Sequence, residues 1–124
     1  MSRYNKNLGD FGENVAESYL REKGYTIIER NFYVKGGEID IICMDKDTLV
    51  FVEVKTRKSD KFGLPAEAVD RKKVEHMRYA AERYYESYSF DGEIRFDVVE
   101  VFASLDGATP ELCEIRHIAD AIIF

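Results

Sequence analysis

The chain has 124 residues, of which 45% are hydrophobic and 34% charged, and this is enough for one compact domain with a core. With only two prolines and eight glycines, the composition argues against disorder. No segment approaches the roughly 18 to 20 apolar residues that span a bilayer, and the first residues lack the apolar segment of a signal peptide. We therefore predict a single cytoplasmic domain over residues 1–124, without membrane contact.

The formal net charge of −6 argues against strong nonspecific binding to nucleic acid, because phosphate contacts dominate such binding. Basic residues nevertheless gather in two short segments, residues 57–61 and 71–78. Ordinary solvated surface is the alternative interpretation of each segment.

The cysteines and histidines are scattered along the chain. Cys43 and Cys113 have no nearby partner in sequence, which predicts buried free thiols in a reducing compartment. His76 and His117 are equally isolated, so a zinc site of the cysteine-histidine kind has no support.

The first predicted element is a helix over about residues 7–23, which ends at Gly24. Its apolar residues recur on one side at helical spacing: Leu8, Phe11, Val15, Ala16, Tyr19 and Leu20. Glu13 lies at the edge of this stripe, and we expect it to face a cleft. Glu17 lies further round the helix and is expected to pair with Arg21.

The remaining elements are four strands, a second helix and an edge strand. The predicted strands are residues 25–33, 38–44, 49–57, 93–102 and 112–118, and the second helix covers residues 70–87 with Asp70 as its cap. We expect Val74, Met77, Ala81, Tyr84 and Tyr88 to form the buried stripe of that helix. The apolar ending, residues 121–124, is expected to pack on the body of the domain.

This order, α-β-β-β-α-β with an additional edge strand, predicts an α/β fold. Short links between the first three strands favour antiparallel pairing, and the helical crossover before the fourth strand favours a parallel neighbour. The prediction is a mixed central sheet flanked by helices.

Charged residues interrupt the second and third predicted strands at every second position, so within each strand they lie on one face. Glu38 and Asp40 share one face with Ile42, and Glu53 shares a face with Lys55. If the hairpin is symmetric about the bond between residues 46 and 47, Asp40 lies opposite Glu53 and Glu38 lies opposite Lys55.

Like charges that lie directly opposite each other destabilise a sheet, so the facing Asp40 and Glu53 carboxylates need compensation. Mg²⁺ or Mn²⁺ would supply it, because these cations prefer carboxylate, water and phosphate oxygens. Lys55 could then orient an attacking water and stabilise charge on phosphorus. The alternative is an ordinary solvent-facing pair of strands in which Glu38 and Lys55 form a cross-strand ion pair.

Asp40, followed after a hairpin by Glu53-Val54-Lys55, resembles the PD-(D/E)XK nuclease signature. The whole chain resembles the YraN-like family of small bacterial proteins, which are related to archaeal Holliday junction resolvases. The residues that carry this resemblance are Gly9, Gly12, Glu13, Ala16, Leu20, Gly24, Asn31, Gly37 to Asp40, Phe51 to Arg57, Phe62, Gly63, Lys73, Phe96 and Asp97.

The resemblance implies a restriction-endonuclease-like fold with Asp40 and Glu53 as ligands of Mg²⁺ or Mn²⁺. It also implies that Lys55 is the catalytic lysine and that Glu13 is the additional acidic residue, catalytic and metal-binding, that resolvases carry on their first helix. The chain departs from the nominal pattern at Ile39, where the signature has proline.

The expected function is a metal-dependent DNA endonuclease that acts on branched or structured DNA in recombination or repair, as a symmetric homodimer. We expect Arg57, Lys58 and Lys61 to contact the phosphate backbone, and Lys73 to reach the site from the second helix. Solvated loop and helix surfaces explain these lysines almost as well. A noncatalytic DNA-binding or protein-interaction module is the alternative from another class, and an RNA nuclease or nucleotide phosphodiesterase shares the same metal chemistry.

Overall fold

The structure, a computed structural model, describes residues 3–59 and 71–121. Its elements in chain order are α1 (Arg3–Glu22), β1 (Thr26–Val34), β2 (Gly37–Asp45), β3 (Thr48–Lys58), α2 (Arg71–Tyr88), β4 (Glu93–Ser104) and β5 (Glu111–Ile118). The predicted order is confirmed, and each strand boundary lies close to its predicted position. The expected loop near Pro65, the cap Asp70 and the last residues, 122–124, lie outside the described residues. Neither described helix is both long enough and apolar enough to cross a bilayer.

The five strands form one mixed sheet in the order β1-β2-β3-β4-β5. The first three strands pair antiparallel, β4 pairs parallel with β3, and β5 returns antiparallel beside β4. The α/β class with a mixed sheet is therefore confirmed. The parallel pair follows from the α2 crossover, since a short link cannot join parallel strands.

The helices cover opposite faces of the sheet. On one face, Ala16 and Leu20 of α1 pack against Val50 and Val52 of β3 in a fully buried cluster. On the other face, α2 packs against the residues of opposite parity, so the two sides of β3 bury their side chains in different clusters. The sheet is thus the middle layer of an α/β/α arrangement, and β3 is its central strand.

Close helix contact fixes the height of α1 on the sheet. A Cβ atom added at Gly12 would lie 1.8 Å from Oγ1 of Thr56, so only glycine lets the helix approach β3 at this level. The neighbouring residue on the helix, Glu13, is consequently held near the carboxyl half of β3.

Strict alternation fails at Asp40. Ile41 packs with the α1 cluster, but Ile39 packs with Ile42 in the α2 cluster, although alternation predicts that Ile39 and Ile41 share a face. In β1, Asn31 lies between the partners of Ile39 and Ile41 and has a φ of 52°, in the left-handed region. Both strands therefore change face here, and the strict alternation expected along β2 fails between Ile39 and Ile41.

Two side chains are more exposed than predicted. Tyr88, expected in the buried stripe of α2, is 61% exposed because it lies at the helix end, where its ring packs on Tyr84. Cys113 is exposed on the edge strand β5, whereas Cys43 is buried, and burial raises the pKa of its thiol to about 12.

Candidate functional site

The hairpin of β2 and β3 has the predicted register. Five consecutive residue pairs join the strands, from Asp45 with Thr48 to Ile41 with Val52. The two residue numbers of each pair add up to 93, as expected for a turn symmetric about residues 46 and 47. Regular pairing stops there, one position before Asp40 and Glu53. The strands diverge at the point where the two acidic residues lie.

Asp40 fills the gap that the diverging strands leave. Its Oδ2 accepts a 2.8 Å hydrogen bond from the backbone amide of Val54, the residue after Glu53. The carboxylate therefore takes the place of a backbone acceptor and is fixed between the two strands. Burial raises the pKa of Asp40, and the charges of Glu13 and Glu38 add to the rise, whereas the Val54 amide and Lys73 oppose it.

Glu53 lies beside Asp40 and is almost fully buried, with a side chain that is 9% exposed. Its Oε2 is buried and accepts no hydrogen bond from any described residue. Burial first, then the charge of Asp40 and side-chain hydrogen bonding with Asp40, raise the pKa of Glu53 to about 8. A half-buried and a buried carboxyl group thus lie side by side, and their burial and the charge of Asp40 on Glu53 oppose ionisation.

Lys73 of α2 supplies the cation that contacts this pair. Its Nζ lies 3.5 Å from Oε1 of Glu53 and 3.5 Å from Oε1 of Glu38. Burial by itself would lower the pKa of Lys73, but the charges of Glu53, Asp40 and Glu38 raise it. We refer to Asp40, Glu53, Lys55 and Lys73 as the hairpin site.

Lys55 lies two residues beyond Glu53, on the α2 side of β3, and is half-buried. Within the described part of the chain it forms neither an ion pair nor a hydrogen bond. Its lateral neighbour in the parallel pair with β4 is Glu100, whose side chain is 1% exposed. Sequence reasoning assigned Glu100 no role, although a glutamate among valines in a central strand is a detectable signal.

Arg57, predicted to bind nucleic acid, is engaged within the protein. Its Nε lies 2.9 Å from Oε2 of the buried Glu100. Lys58 follows at the end of β3 and is exposed, whereas Lys61 lies outside the described residues. Of the two described basic residues in this segment, Arg57 and Lys58, Lys58 is the one whose side chain is exposed to solvent.

Glu13 does not join the two strand carboxylates in one cluster. Its carboxylate lies 3.2 Å from a guanidinium nitrogen of Arg30, which also contacts Glu17. Glu13 still influences the site, because its charge contributes to the raised pKa of Asp40. Across residues 3–59 and 71–121, no three His, Cys, Asp or Glu side chains group closely enough to hold a metal ion.

The predicted metal fits the hairpin site through two ligands. Glu53 offers a buried oxygen without a donor, and Asp40 offers a second carboxylate with a raised pKa. Mg²⁺ commonly binds one or two carboxylates and completes its shell with water and substrate phosphate. The residue types and their burial therefore suit a hard divalent cation.

A second polar cluster lies on the α1 side of the sheet and was missed from the sequence. Asp97 is fully buried and accepts hydrogen bonds from Arg95, from Nε2 of His117 at 2.7 Å and from the amide of Asp120. Burial alone would raise the pKa of Asp97, but these donors lower it to about 2. His117, which appeared isolated in the sequence, anchors β5 to β4 through this contact.

Comparison with known proteins finds relatives that match nearly the whole chain. Residues 12–101 match the protein family described as "Uncharacterised protein family UPF0102". A UPF0102 protein of Syntrophomonas wolfei is 47% identical over 118 residues, which cover 94% of this chain and 98% of the relative. A UPF0102 protein of Caldanaerobacter subterraneus is 45% identical, with 94% of each chain covered. One from Clostridium acetobutylicum is 51% identical over 106 residues, covering 82% of this chain and 84% of the relative.

Proposed function

Because the chain belongs to the uncharacterised protein family UPF0102, whose description assigns no activity, we propose its function from the geometry of the hairpin site. The proposed function is hydrolysis of phosphodiester bonds in DNA, with Mg²⁺ or Mn²⁺ as cofactor. The preferred substrate is branched or otherwise structured DNA in recombination or repair.

One observation carries the proposal: two carboxyl groups from adjacent strands lie side by side, the half-buried Asp40 and the buried Glu53, and burial raises the pKa of both. The bond to the Val54 amide gives Asp40 a structural role, but no such bond from a described residue explains Glu53, whose carboxyl group is buried beside it at a cost. Retaining two such groups, one of them with a buried oxygen that lacks a donor, is instead typical of a cation site.

Asp40 and Glu53 would hold the divalent cation. When bound, this cation would polarise a phosphate oxygen and neutralise charge that develops during hydrolysis. Asp40 is held in place by the Val54 amide, so its carboxylate is oriented before any ligand arrives. Lys55, which lies on the same side of β3 as Glu53, would orient the attacking water and stabilise negative charge on the phosphate.

DNA as the substrate rests on the resemblance of Asp40, Glu53 and Lys55 to the PD-(D/E)XK signature and on the exposed Lys58 at the end of the same strand, β3. Two cuts on a branched junction call for two sites related by symmetry, so we propose a homodimer as the active form. Glu13 would contribute through its charge near Asp40. A cytoplasmic location fits this role.

The test is Mg²⁺- or Mn²⁺-dependent nicking by the purified chain on branched, nicked, linear and single-stranded DNAs and on single-stranded RNA. Asp40→Asn, Glu53→Gln and Lys55→Ala should each lower the rate by roughly 100-fold or more while the fold is retained. Asp47→Asn, an exposed carboxylate at the far end of the same hairpin, is the matched control and should retain activity. Nicking that survives all three site changes would assign the activity to a different site or to a contaminant.

The second candidate is a noncatalytic DNA-binding or protein-interaction module on the same fold. The net charge of −6 favours its protein-interaction form, because negative charge weakens contact with DNA phosphates. The two candidates differ in what the cation does. A site that binds Mn²⁺ in the folded state must raise the melting temperature by mass action. DNA binding without nicking, together with a melting temperature that is unchanged by Mn²⁺, would support the binding module.

A further inference from the structure

Lys73 is shared between two carboxylates of very different exposure. Its Nζ lies 3.5 Å from both Glu53, whose side chain is 9% exposed, and Glu38, whose side chain is 56% exposed. Both distances are longer than the roughly 2.7–2.9 Å of a direct charge-assisted hydrogen bond. The ammonium group therefore lies between two anchors, one buried and one open to solvent.

When the buried Glu53 is ionised, it needs a counter-charge. Among the described residues, Lys73 is the one that forms an ion pair with Glu53, and its charge also acts on Asp40. Removing the partner of a buried charge is strongly destabilising, because the remaining charge loses its compensation. In the protein as described, Lys73 thus provides the positive charge that the two strand carboxyls require.

A divalent cation would need the same Glu53 carboxylate that Lys73 contacts. Two cations at one carboxylate repel each other, and the repulsion is strong in a partly buried site where solvent screens poorly. The exposed Glu38 offers Lys73 an alternative anchor, so the ammonium group can leave Glu53 without losing all compensation.

We propose that Lys73 is a built-in counter-ion that competes with the divalent cation for Glu53 and moves to Glu38 when that cation binds. This inference rests on the proposed function, because it assumes that the hairpin site binds Mg²⁺ or Mn²⁺. Lys73 then sets the threshold cation concentration at which the site loads. When the divalent cation is scarce, the charge of Lys73 partly compensates the charges of Asp40 and Glu53.

The test is the affinity of the full chain for Mn²⁺, measured by isothermal titration calorimetry without DNA at about pH 8.5, above the pKa of Glu53. Lys73→Gln should bind Mn²⁺ roughly 5- to 50-fold more tightly than the unchanged protein, a range typical of coupling between two ligands. Lys72→Gln is the matched control, since it removes the same charge from an exposed position on the same turn of α2. It should change the affinity less than about twofold.

A double-mutant cycle separates direct competition from a general field effect. Glu38→Gln removes the alternative anchor, so in the unchanged protein it should weaken Mn²⁺ binding. In the Lys73→Gln background the same change should weaken binding less, because no ammonium group remains to be relocated. Equal effects of Glu38→Gln in both backgrounds would refute the relocation of Lys73.

The outcomes distinguish this inference from the function on which it rests. Mn²⁺ binding that is equal or weaker in Lys73→Gln overturns the competition and leaves the proposed function standing. Mn²⁺ binding in Lys73→Gln but not in the unchanged protein supports both. No binding in either protein overturns both, provided that circular dichroism shows that each is folded.

Discussion

The backbone amide of Val54 donates a 2.8 Å hydrogen bond to Oδ2 of Asp40. This bond lies just beyond the last regular pair of the hairpin, Ile41 with Val52, and joins β2 to β3 where their backbones no longer pair. One carboxylate thus has two tasks, since it holds the strands together and faces Glu53.

The structural task of Asp40 can be measured separately from its charge. Asp40→Ala leaves the Val54 amide without an acceptor, whereas Asp40→Asn keeps an oxygen at this position. We expect Asp40→Ala to have a free energy of unfolding about 1–3 kcal/mol below that of Asp40→Asn, from urea denaturation. Equal stabilities would mean that water replaces the carboxylate at no cost.

Glu53 should make stability depend on pH in a defined window. Its pKa is about 8 in the folded protein and 4.5 in a model peptide, so between these values the unfolded chain releases a proton that the folded chain retains. The free energy of unfolding should therefore fall as pH rises from about 4.5 to about 8 and level off above it.

Glu53→Gln removes this titration, so the variant should gain stability relative to the unchanged protein across the same window, on the order of a few kcal/mol. Urea denaturation at several pH values between about 5 and 9, without divalent cations, measures the difference. A difference that does not change with pH would contradict the raised pKa of Glu53.

Asp97 should have the opposite pH dependence. Its pKa is lowered from 3.8 to about 2 by donors from His117, Arg95 and the Asp120 amide. The ionised Asp97 contributes about 2–3 kcal/mol to the free energy of unfolding above about pH 4. This contribution is lost as the pH falls through 3.8 towards 2. Asp97→Asn should lower the melting temperature at neutral pH and flatten its decline between about pH 4 and 2. If Asp97→Asn left the decline of the melting temperature between about pH 4 and 2 unchanged, the contacts of Asp97 would not control stability in acid.

Arg57 and Lys58, adjacent in sequence, should respond differently to substitution by alanine. Arg57→Ala leaves Glu100 buried without its ion-pair partner and should destabilise the protein by about 3–5 kcal/mol. Lys58→Ala changes an exposed side chain, so stability should shift by less than about 0.5 kcal/mol.

DNA binding can be measured by fluorescence anisotropy at several salt concentrations. Lys58→Ala should reduce the salt slope, which is the slope of the logarithm of the binding constant against the logarithm of the salt concentration, by about one. A salt slope that is unaffected by Lys58→Ala would place the phosphate contacts elsewhere. If the Arg57→Ala variant were stable and bound DNA more weakly, Arg57 would contact DNA, as predicted from the sequence.

The hairpin register followed from one assumption, that the short polar link between the strands is symmetric about residues 46 and 47, and the structure confirms it with a two-residue turn in which Lys46 has a φ of 55°. The change of face at Asp40 was not predictable from periodicity, since it depends on the left-handed backbone of Asn31 in the adjacent strand. Asparagine inside a strand is a weak signal of such a position, because it tolerates this conformation better than most residues.

Contacts between distant segments were harder to predict than the elements themselves. Lys73 was expected near the site from the resemblance, but its division between Glu38 and Glu53 depends on how α2 packs over β2. Likewise, the pairing of Asp97 with His117 requires β5 to lie beside β4, and no local pattern in the sequence encodes that neighbour.

The two kinds of connection around β3 imply an order of assembly. The β2–β3 hairpin closes through two residues, and such hairpins form in roughly 1–10 μs. Pairing of β3 with β4 must wait for the longer crossover that contains α2, and closing that loop costs more chain entropy. We therefore expect the nascent chain to bring Asp40 and Glu53 together before Lys73 arrives, so an early folding intermediate would carry the acidic pair exposed to solvent and uncompensated.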